Sequence, residues 1–535
     1  MDTSIRCISN RIIAEGPMIG LRKELMEVWG WKPRKDNTFN VEDTYVNRLI
    51  LGVPIKRPEY VAQNAVEGLL DFQRGDVQKL AKYGNMLNAN AMGLGKTIEA
   101  IATLKTNNWT RAVVFTPKSC ITQWATALQN WFPELRVFCF ASTSNKLPIL
   151  DNIDIVVTNY EKIQGRKEDR RTTTGMSKKV TTLSSFGEWL CRRRWDAIIL
   201  DEVHLVKNHQ GIRHKLLQRL PRQCTIGMSG TPITRYADDL YGVFHIIDPK
   251  SVGSSYWTFV DYFCEVEDGF WGRKVTGLTK NPKKLEVLWK LWDLLTVHHT
   301  MEEVLKDFPE IVEERILVDM EPKQRKVYKD VVKLVLDDLP ENCTVQNGMM
   351  KAIRMQQITT CPKLFEGLGW GPKFEFIGDW LENEPELKVL IGSPYERHIH
   401  LLHDYLQSRG IECVMYSGKL SDKAREASIN SFKESGARVI CATIGAIGTG
   451  TDGLQYSCNT VLMLDRSWGP EEMRQFISRI RRYGQAKTVQ VFYLECAQSS
   501  DQRIGRTAIA KLSDIRKIVS GEGYQEVSKN DYRLF

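Results

Sequence analysis

Short apolar runs, each trailed by a helix-like stretch, recur along this chain and constrain its fold more than any other feature. "RAVVFTP" (111–117), "DIVVTNY" (154–160), "WDAIILDE" (195–202) and "QCTIGMSGTP" (223–232) form one set. "KVLIGSP" (388–394), "IECVMYSG" (411–418), "ARVICAT" (437–443), "NTVLMLD" (459–465) and "TVQVFYLE" (488–495) form a second. A strand covered on both faces has no polar side to show, so it reads as a near-continuous Val/Ile run. Parallel strands also need a crossover, usually a helix. The pattern predicts α/β architecture with functional loops at strand C-terminal ends. Between the sets, residues 245–345 are helical in pattern and rich in Trp, Lys and Glu.

Length agrees: 535 residues exceed what one core usually serves. The expected division is a short N-terminal accessory region (1–60), a first lobe (61–245), a helical inter-lobe region (246–345), a second lobe (346–500) and a C-terminal helix and tail (501–535). Within the first region, "GLRKELMEVWGW" reads as a short amphipathic helix.

Hydrophobic content of 42% and charged content of 26% are those of a soluble globular chain. No run reaches the ~18 apolar residues of a membrane span, and "MDTSIRCISNRIIAEG" lacks the apolar segment of a secretion signal. The 12 cysteines include no C-x-x-C pair, which argues against zinc and against a disulfide framework. Reduced thiols point to a cytoplasm-like compartment, or the nucleus of a eukaryote. Net charge is +9, and residues 166–194 hold nine Lys/Arg against three Asp/Glu. A basic surface suggests a polyanion partner.

The chemistry starts at "NANAMGLGKTIEA" (88–100). A phosphate loop needs glycines so that backbone N–H groups can approach the anion. It also needs a lysine for charge and a hydroxyl for Mg²⁺. Gly93, Gly95, Lys96 and Thr97 supply these in order, and the helix that follows turns its N-terminus to the phosphates. About a hundred residues on, Asp201 and Glu202 stand where an apolar strand ends. Alone they are an acidic helix cap. With the loop, Asp201 is placed to hold Mg²⁺ and Glu202 to polarise a water as general base. In "RQFISRIRRYGQ" (474–485), helical spacing puts Gln475, Arg479 and Arg482 on one face. Alone this is a solvated basic helix; with the other two elements it suits a γ-phosphate clamp.

At these residues the chain resembles superfamily II helicase-like ATPases, and within them the Swi/Snf-like double-stranded DNA translocases. The resemblance runs from about residue 66 to 500. "LLDFQRGDVQKL" resembles the adenine-sensing motif, with Gln73 as its glutamine. "AMGLGKT", "VVFTPKSCITQWATAL" (with Trp124), "DIVVTNYEKI", "DEVH" and "MSGTPI" resemble motifs I, Ia, Ib, II and III. "GAIGTGTDGLQ" is close to motif V, and "LDRSWGPEEMRQFISRIRRYGQ" carries motif VI. Two departures stand out. Asn90 and Ala91 occupy positions where this branch usually has two acids, and His298 and His299 positions where it usually has two arginines.

The resemblance implies two RecA-like lobes with ATP and Mg bound between them. It assigns the nucleotide to Gln73, Gly93, Leu94, Gly95, Lys96, Thr97, Ile98 and Asp201 of the first lobe, and to Gly450, Asp452 and Gln475 of the second. Thr97 and Asp201 hold the metal, partly through water. Lys96, Asp201, Glu202, Arg479 and Arg482 carry catalysis, and His204, Ser229 and Thr231 relay between cleft and track. DNA, duplex and gripped by its backbone, falls to Thr116, Lys118, Thr158 and Asn159 in lobe one and Ser417, Gly418 and Thr443 in lobe two. The 166–194 insert is a further duplex candidate, and residues 1–60 offer a surface for a protein partner. Few added modules suit a minimal motor of viral or bacterial type. A helicase acting on forked DNA is the alternative. A scaffold with vestigial ATPase is a third reading, against which the intact Lys96, Glu202, Arg479 and Arg482 argue.

Overall fold

A computed structural model describes residues 4–8, 10–15, 19–35, 38–140, 153–171, 177–234, 236–269, 272–304, 309–337, 345–434, 436–447, 453–467, 469–482, 484–506 and 518. The chain forms two compact units, the division falling after Val304.

The first unit is built on a seven-stranded sheet. Its order is Thr296–Val297, Met86–Asn88, Arg222–Met228, Trp195–Asp201, Ala112–Phe115, Ile155–Thr158, Val137–Phe140, and every pairing is parallel. Alternate residues serve opposite faces. Val113, Phe115, Ile198 and Leu200 pack with Leu240, Val243, Phe244 and Ile247. Val114, Val157 and Ile199 pack with Ile101, Leu104, Trp124 and Leu128. Both faces are thus covered, which is why these strands read as unbroken apolar runs. Each such side chain contributes about 1.5–3 kcal/mol by leaving water.

Residues near the N-terminus are part of this unit. Ser4–Ile8, Arg11–Glu15 and Phe39–Glu42 make a three-stranded antiparallel sheet, and helix Ile19–Glu27 takes the first part of the anticipated 20–31 stretch, stopping before Val28. Ile12, Leu25, Trp29, Trp31 and Phe39 share the core of the 239–295 helices. Trp29 meets Tyr262 edge-on at 5.6 Å, the Trp31 indole N–H donates to the Tyr262 hydroxyl, and the Tyr45 hydroxyl donates to Asp248 at 3.0 Å.

The second unit has a six-stranded, all-parallel sheet in the order Ile311–Val318, Val489–Cys496, Thr460–Met463, Val389–Ser393, Val439–Thr443, Cys413–Tyr416. It too is covered on both faces. Leu390, Ile440 and Val461 pack with Met473, Phe476 and Ile480, while Val389, Ile391 and Leu462 pack with Phe374, Ile377 and Leu402. Two parallel sheets with helices on both faces match the expected fold class.

The stretch expected as one helical inter-lobe region divides between the units. Thr296–Val297 extends the first sheet and Ile311–Val318 extends the second. It also contains an antiparallel hairpin, Cys264–Gly269 with Gly272–Leu278.

Candidate functional site

The phosphate-loop sequence connects strand Met86–Asn88 to helix Lys96–Thr106. Gly93 and Gly95 turn the chain at φ 88° and 85°, conformations that glycine adopts without a Cβ penalty. A Cβ on Gly95 would also lie 2.6 Å from Gln73 Nε2. Gln73 ties the loop to its own helix: its Nε2 donates to the Leu94 carbonyl (2.9 Å) and its Oε1 accepts from Leu70 N–H (3.1 Å). Leu70 and Ile98 stay exposed on either side, an apolar surface of the kind a base can lie against. Lys96 Nζ donates to the Asn90 and Ala91 carbonyls at 2.8 and 3.2 Å. Thr97 is half-buried on the first turn. Gly230, in the "MSGTPI" stretch, approaches so closely that a Cβ there would lie 3.4 Å from Lys96 Nζ and 2.8 Å from Met92 Cγ.

Beneath the loop the two sequence departures meet. The Ala91 N–H donates to the His299 carbonyl (2.9 Å), and His299 Nε2 lies 3.2 Å from Asp76 Oδ1. Asn90 Nδ2 donates to Asp76 Oδ2 (2.7 Å) and to both oxygens of the buried Glu99 (3.1 and 3.0 Å), which also accepts from Asn88 (2.5 Å). Burial, reinforced by the nearby Asp76 charge, pushes the Glu99 carboxyl up to about 7 against these donors. At positions where the resemblance implies acids and arginines, this chain bonds through the Asn90 amide and the His299 carbonyl and imidazole. Residue patterns did not reveal Asp76 and Glu99; apolar neighbours around an isolated acid at position 99 were the available signal.

Asp201 ends strand Trp195–Asp201, and three side chains fix it. The Thr116 hydroxyl and the Trp124 indole N–H donate to Asp201 Oδ2 at 2.7 and 2.9 Å. The Tyr160 hydroxyl donates to the Asp201 carbonyl at 2.6 Å. Glu202 follows in the left-handed region, φ 51°, a conformation that costs a non-glycine residue about 1–3 kcal/mol and recurs at functional sites. Its Oε2 lies 3.2 Å from His204 Nδ1 and accepts from the Ser229 hydroxyl at 3.3 Å. His204 Nδ1 is itself 2.9 Å from Ser229 Oγ, which also accepts from Thr231 N–H at 3.1 Å.

The two carboxyls diverge electrostatically. Burial, then the Glu202 charge, raise Asp201 to about 6. Burial also works against Glu202, but the His204 hydrogen bond and charge outweigh it, with Lys96 and Ser229 assisting, and hold it below the usual range. Glu202 keeps a quarter of its side chain exposed, so an ionised carboxylate stands at the mouth of the site.

The expected DNA residues lie at strand C-terminal ends, with unequal access. Thr116 and Thr158 are fully buried, and their hydroxyls are committed to Asp201 and to the Phe140 carbonyl, leaving no exposed hydroxyl to offer a phosphate. Asn159 is mostly buried, its amide donating to Glu161 at 2.7 Å. Lys118 is exposed. In the second unit Ser417 is buried, Gly418 exposed and Thr443 half-buried.

Gln475 lies on helix Pro470–Ile477. That helix ends before the arginines, contrary to the one-face expectation. Arg479 and Arg482 sit on the following turns, held by Arg479 N–H to Phe476 C=O (3.2 Å) and Arg482 N–H to Ile480 C=O (3.1 Å). Both are half-exposed. Gly450 and Asp452 lie outside the described residues. Among the described residues no helix is long and apolar enough to cross a membrane.

The family model described as SNF2-related domain matches residues 63–364, and that described as helicase conserved C-terminal domain matches residues 372–484. This chain belongs to the SNF2-related family. Among the relatives of this SNF2-related chain, the Arabidopsis thaliana ISWI chromatin-remodeling complex ATPase CHR17 is 25% identical over 477 residues, covering 83% of this chain and 42% of that protein. The human SWI/SNF-related matrix-associated actin-dependent regulator of chromatin subfamily A member 1 is 25% identical over 487 residues, covering 84% and 44%. The SNF2-related chain thus spans about two fifths of the length of the curated relatives it matches. The Sulfolobus solfataricus SWI2/SNF2 ATPase core in complex with dsDNA is a structural neighbour at 22% identity and a TM-score of 0.38, covering 88% of this chain and 96% of that one.

Proposed function

We propose that this chain is a DNA-dependent ATPase that converts hydrolysis into movement along duplex DNA. One observation carries the reading. An ionised glutamate in a strained turn, Glu202, stands beside an anchored Asp201, and both feel the charge of Lys96 on a glycine-turned loop. Family membership supports the same reading, and the relatives named as chromatin-remodeling ATPases support DNA as the polymer.

In this mechanism the N–H groups of residues 93–97 and the N-terminus of helix Lys96–Thr106 bind phosphate. Lys96 exchanges the carbonyls of Asn90 and Ala91 for phosphate oxygens. Gln73, Leu70 and Ile98 receive the base. The residues present fit a magnesium ion, since the Thr97 hydroxyl and the Asp201 carboxyl are hard oxygen donors beside the loop. When bound, such an ion offsets charge on the phosphates. Glu202 orients a water and takes its proton, and His204 with Ser229 keeps the carboxylate aimed and ionised. Arg479 and Arg482 of the second unit supply positive charge to the transferring phosphoryl group when the units close, which couples turnover to motion. Lys118, Asn159, Gly418 and the Thr443 turn meet the DNA backbone, so binding is sequence-tolerant and weakens with salt.

The test is ATP turnover with duplex, single-stranded and forked DNA, with Glu202→Gln as control. Duplex alone should stimulate fully, and the control should lose at least ~100-fold in kcat. Stimulation confined to forks supports strand separation instead, and a turnover indifferent to DNA or to Glu202 contradicts the reading.

A further inference from the structure

The basic insert resolves into a two-stranded antiparallel ribbon, Gln164–Arg171 with Ser177–Leu183, followed by helix Ser185–Cys191. Its root is firm. Gly165 lies so close to the returning strand that a Cβ would be 2.4 Å from the Leu183 carbonyl. The Ser184 N–H donates to the Ile163 carbonyl (3.0 Å), and its hydroxyl donates to the Lys162 carbonyl (2.5 Å) and caps the next helix. Phe186 stacks on Phe140 at 4.2 Å, and Arg213 pairs with Glu161 at 2.8 Å. The ribbon leaves the lobe directly after Asn159 and the Tyr160–Ile163 turn, at the C-terminal end of strand Ile155–Thr158, where Asn159 is proposed to contact the backbone.

The strands carry Arg166, Lys167, Arg170, Arg171, Lys178 and Lys179 against Glu168 and Asp169. Register places Arg170 opposite Lys178, Lys179 opposite Asp169 and Arg171 opposite Ser177, so four basic residues and one acid stand toward the far end. Directly opposed like charges weaken a strand pair, and an isolated two-stranded ribbon has little stability to give up. Extended strands of this length reach roughly 20 Å from the root, comparable with the width of a duplex groove and its flanking backbones. A ribbon with a net positive far end, kept there despite the opposed Arg170 and Lys178, is built for an external polyanion.

We propose that this ribbon is a duplex-DNA arm: it grips phosphates beyond the footprint of the ATPase unit and sets affinity, not the rate of chemistry. This rests on the duplex-DNA reading above. The experiment uses the full chain with Arg170→Gln, Arg171→Gln, Lys178→Gln and Lys179→Gln combined, and a charge-keeping control, Arg170→Lys with Arg171→Lys. Binding to a blunt, mixed-sequence duplex is measured across salt concentrations. The quadruple variant should lower the log–log salt slope by about 2–4 and weaken binding about tenfold or more at ~0.1 M salt. The DNA concentration for half-maximal ATPase should rise in step, with kcat at saturating duplex within about twofold of the parent. The control should keep the parent slope, and thermal stability should be unchanged or higher. An unchanged slope, or a reduced kcat at saturation without a slope change, overturns the arm. So does a slope change seen with single strands but not duplex. Failure of the underlying reading looks different: the parent itself shows no duplex-stimulated turnover.

Discussion

At the scale of single residues, the site works through fixed partners of its two acids. Tyr160 is the informative one, because its hydroxyl bonds the Asp201 carbonyl while its ring stacks on Phe115 at 5.8 Å, and it begins the turn that leads to the basic ribbon. Tyr160→Phe keeps the ring and removes the bond. The account predicts a several-fold loss of duplex-stimulated kcat with DNA affinity unchanged, and a stability cost of about 1–2 kcal/mol; equal stimulation in parent and variant removes Tyr160 from the coupling. His214 gives a pH prediction. It is 1% exposed, and burial lowers it to about 4, with His245, His209 and Arg222 adding to the shift and the Val206 carbonyl opposing it. The unfolded chain takes that proton near 6.5, the folded chain only near 4. Stability is therefore whole above about 6.5 and falls as pH drops toward 4, by up to roughly 3 kcal/mol for this group. Urea unfolding at pH 7 and pH 5 should show a smaller pH loss in His214→Gln than in the parent; identical losses contradict it. Lys96, Asp201 and Glu202 are legible in sequence as candidates because the proposed chemistry demands those types at those places, and the fold sets all three at strand C-terminal ends of the first sheet. Sequence did not reveal the partner of Thr116: a hydroxyl after a strand reads the same whether it faces a phosphate or, as here, donates to a neighbouring carboxylate.

At the scale of elements, legibility followed burial. Strands covered on both faces, such as Ile155–Thr158 and Val439–Thr443, announce themselves as unbroken apolar runs. Ile311–Val318, "IVEERILV", hides because it is an edge strand whose apolar run is broken by Glu313, Glu314 and Arg315. Met86–Asn88 and Thr296–Val297 are too short to show a period. The arginine helix was overextended because its spacing continues past Ser478, where the helix stops. In the second unit a buried polar cluster joins several elements. Lys373 Nζ, fully buried, lies 2.8 Å from Asp501 and donates to the Leu464 carbonyl at 2.9 Å. Asp465 accepts from the Ser393 hydroxyl (2.5 Å) and lies 2.9 Å from His398 Nδ1. Burial opposes the Asp465 charge, but His398 and Lys373 outweigh it and hold the carboxyl near 2. Lys373→Met leaves the buried Asp501 without its cation and should cost about 3–5 kcal/mol, with part recovered by adding Asp501→Asn. Denaturant unfolding checks this, and a single variant as stable as the parent refutes it.

At the scale of the whole molecule, the proposed reaction draws residues from both units. The first holds the phosphate loop and both acids; the second presents Arg479 and Arg482 on turns after helix Pro470–Ile477. Each unit has a core of its own, as the proposed motor reading requires of bodies that move separately. The N-terminal sheet, read from sequence as an unassigned accessory, shares the first unit's core, so its removal would expose Trp29 and Trp31. The most direct measurement is steady-state ATP turnover of the Arg479→Ala, Arg482→Ala double variant at saturating duplex, with nucleotide affinity measured separately. The account predicts a kcat loss of about a thousandfold or more with ATP affinity changed only a few-fold. Duplex-stimulated turnover at the parent rate would contradict it.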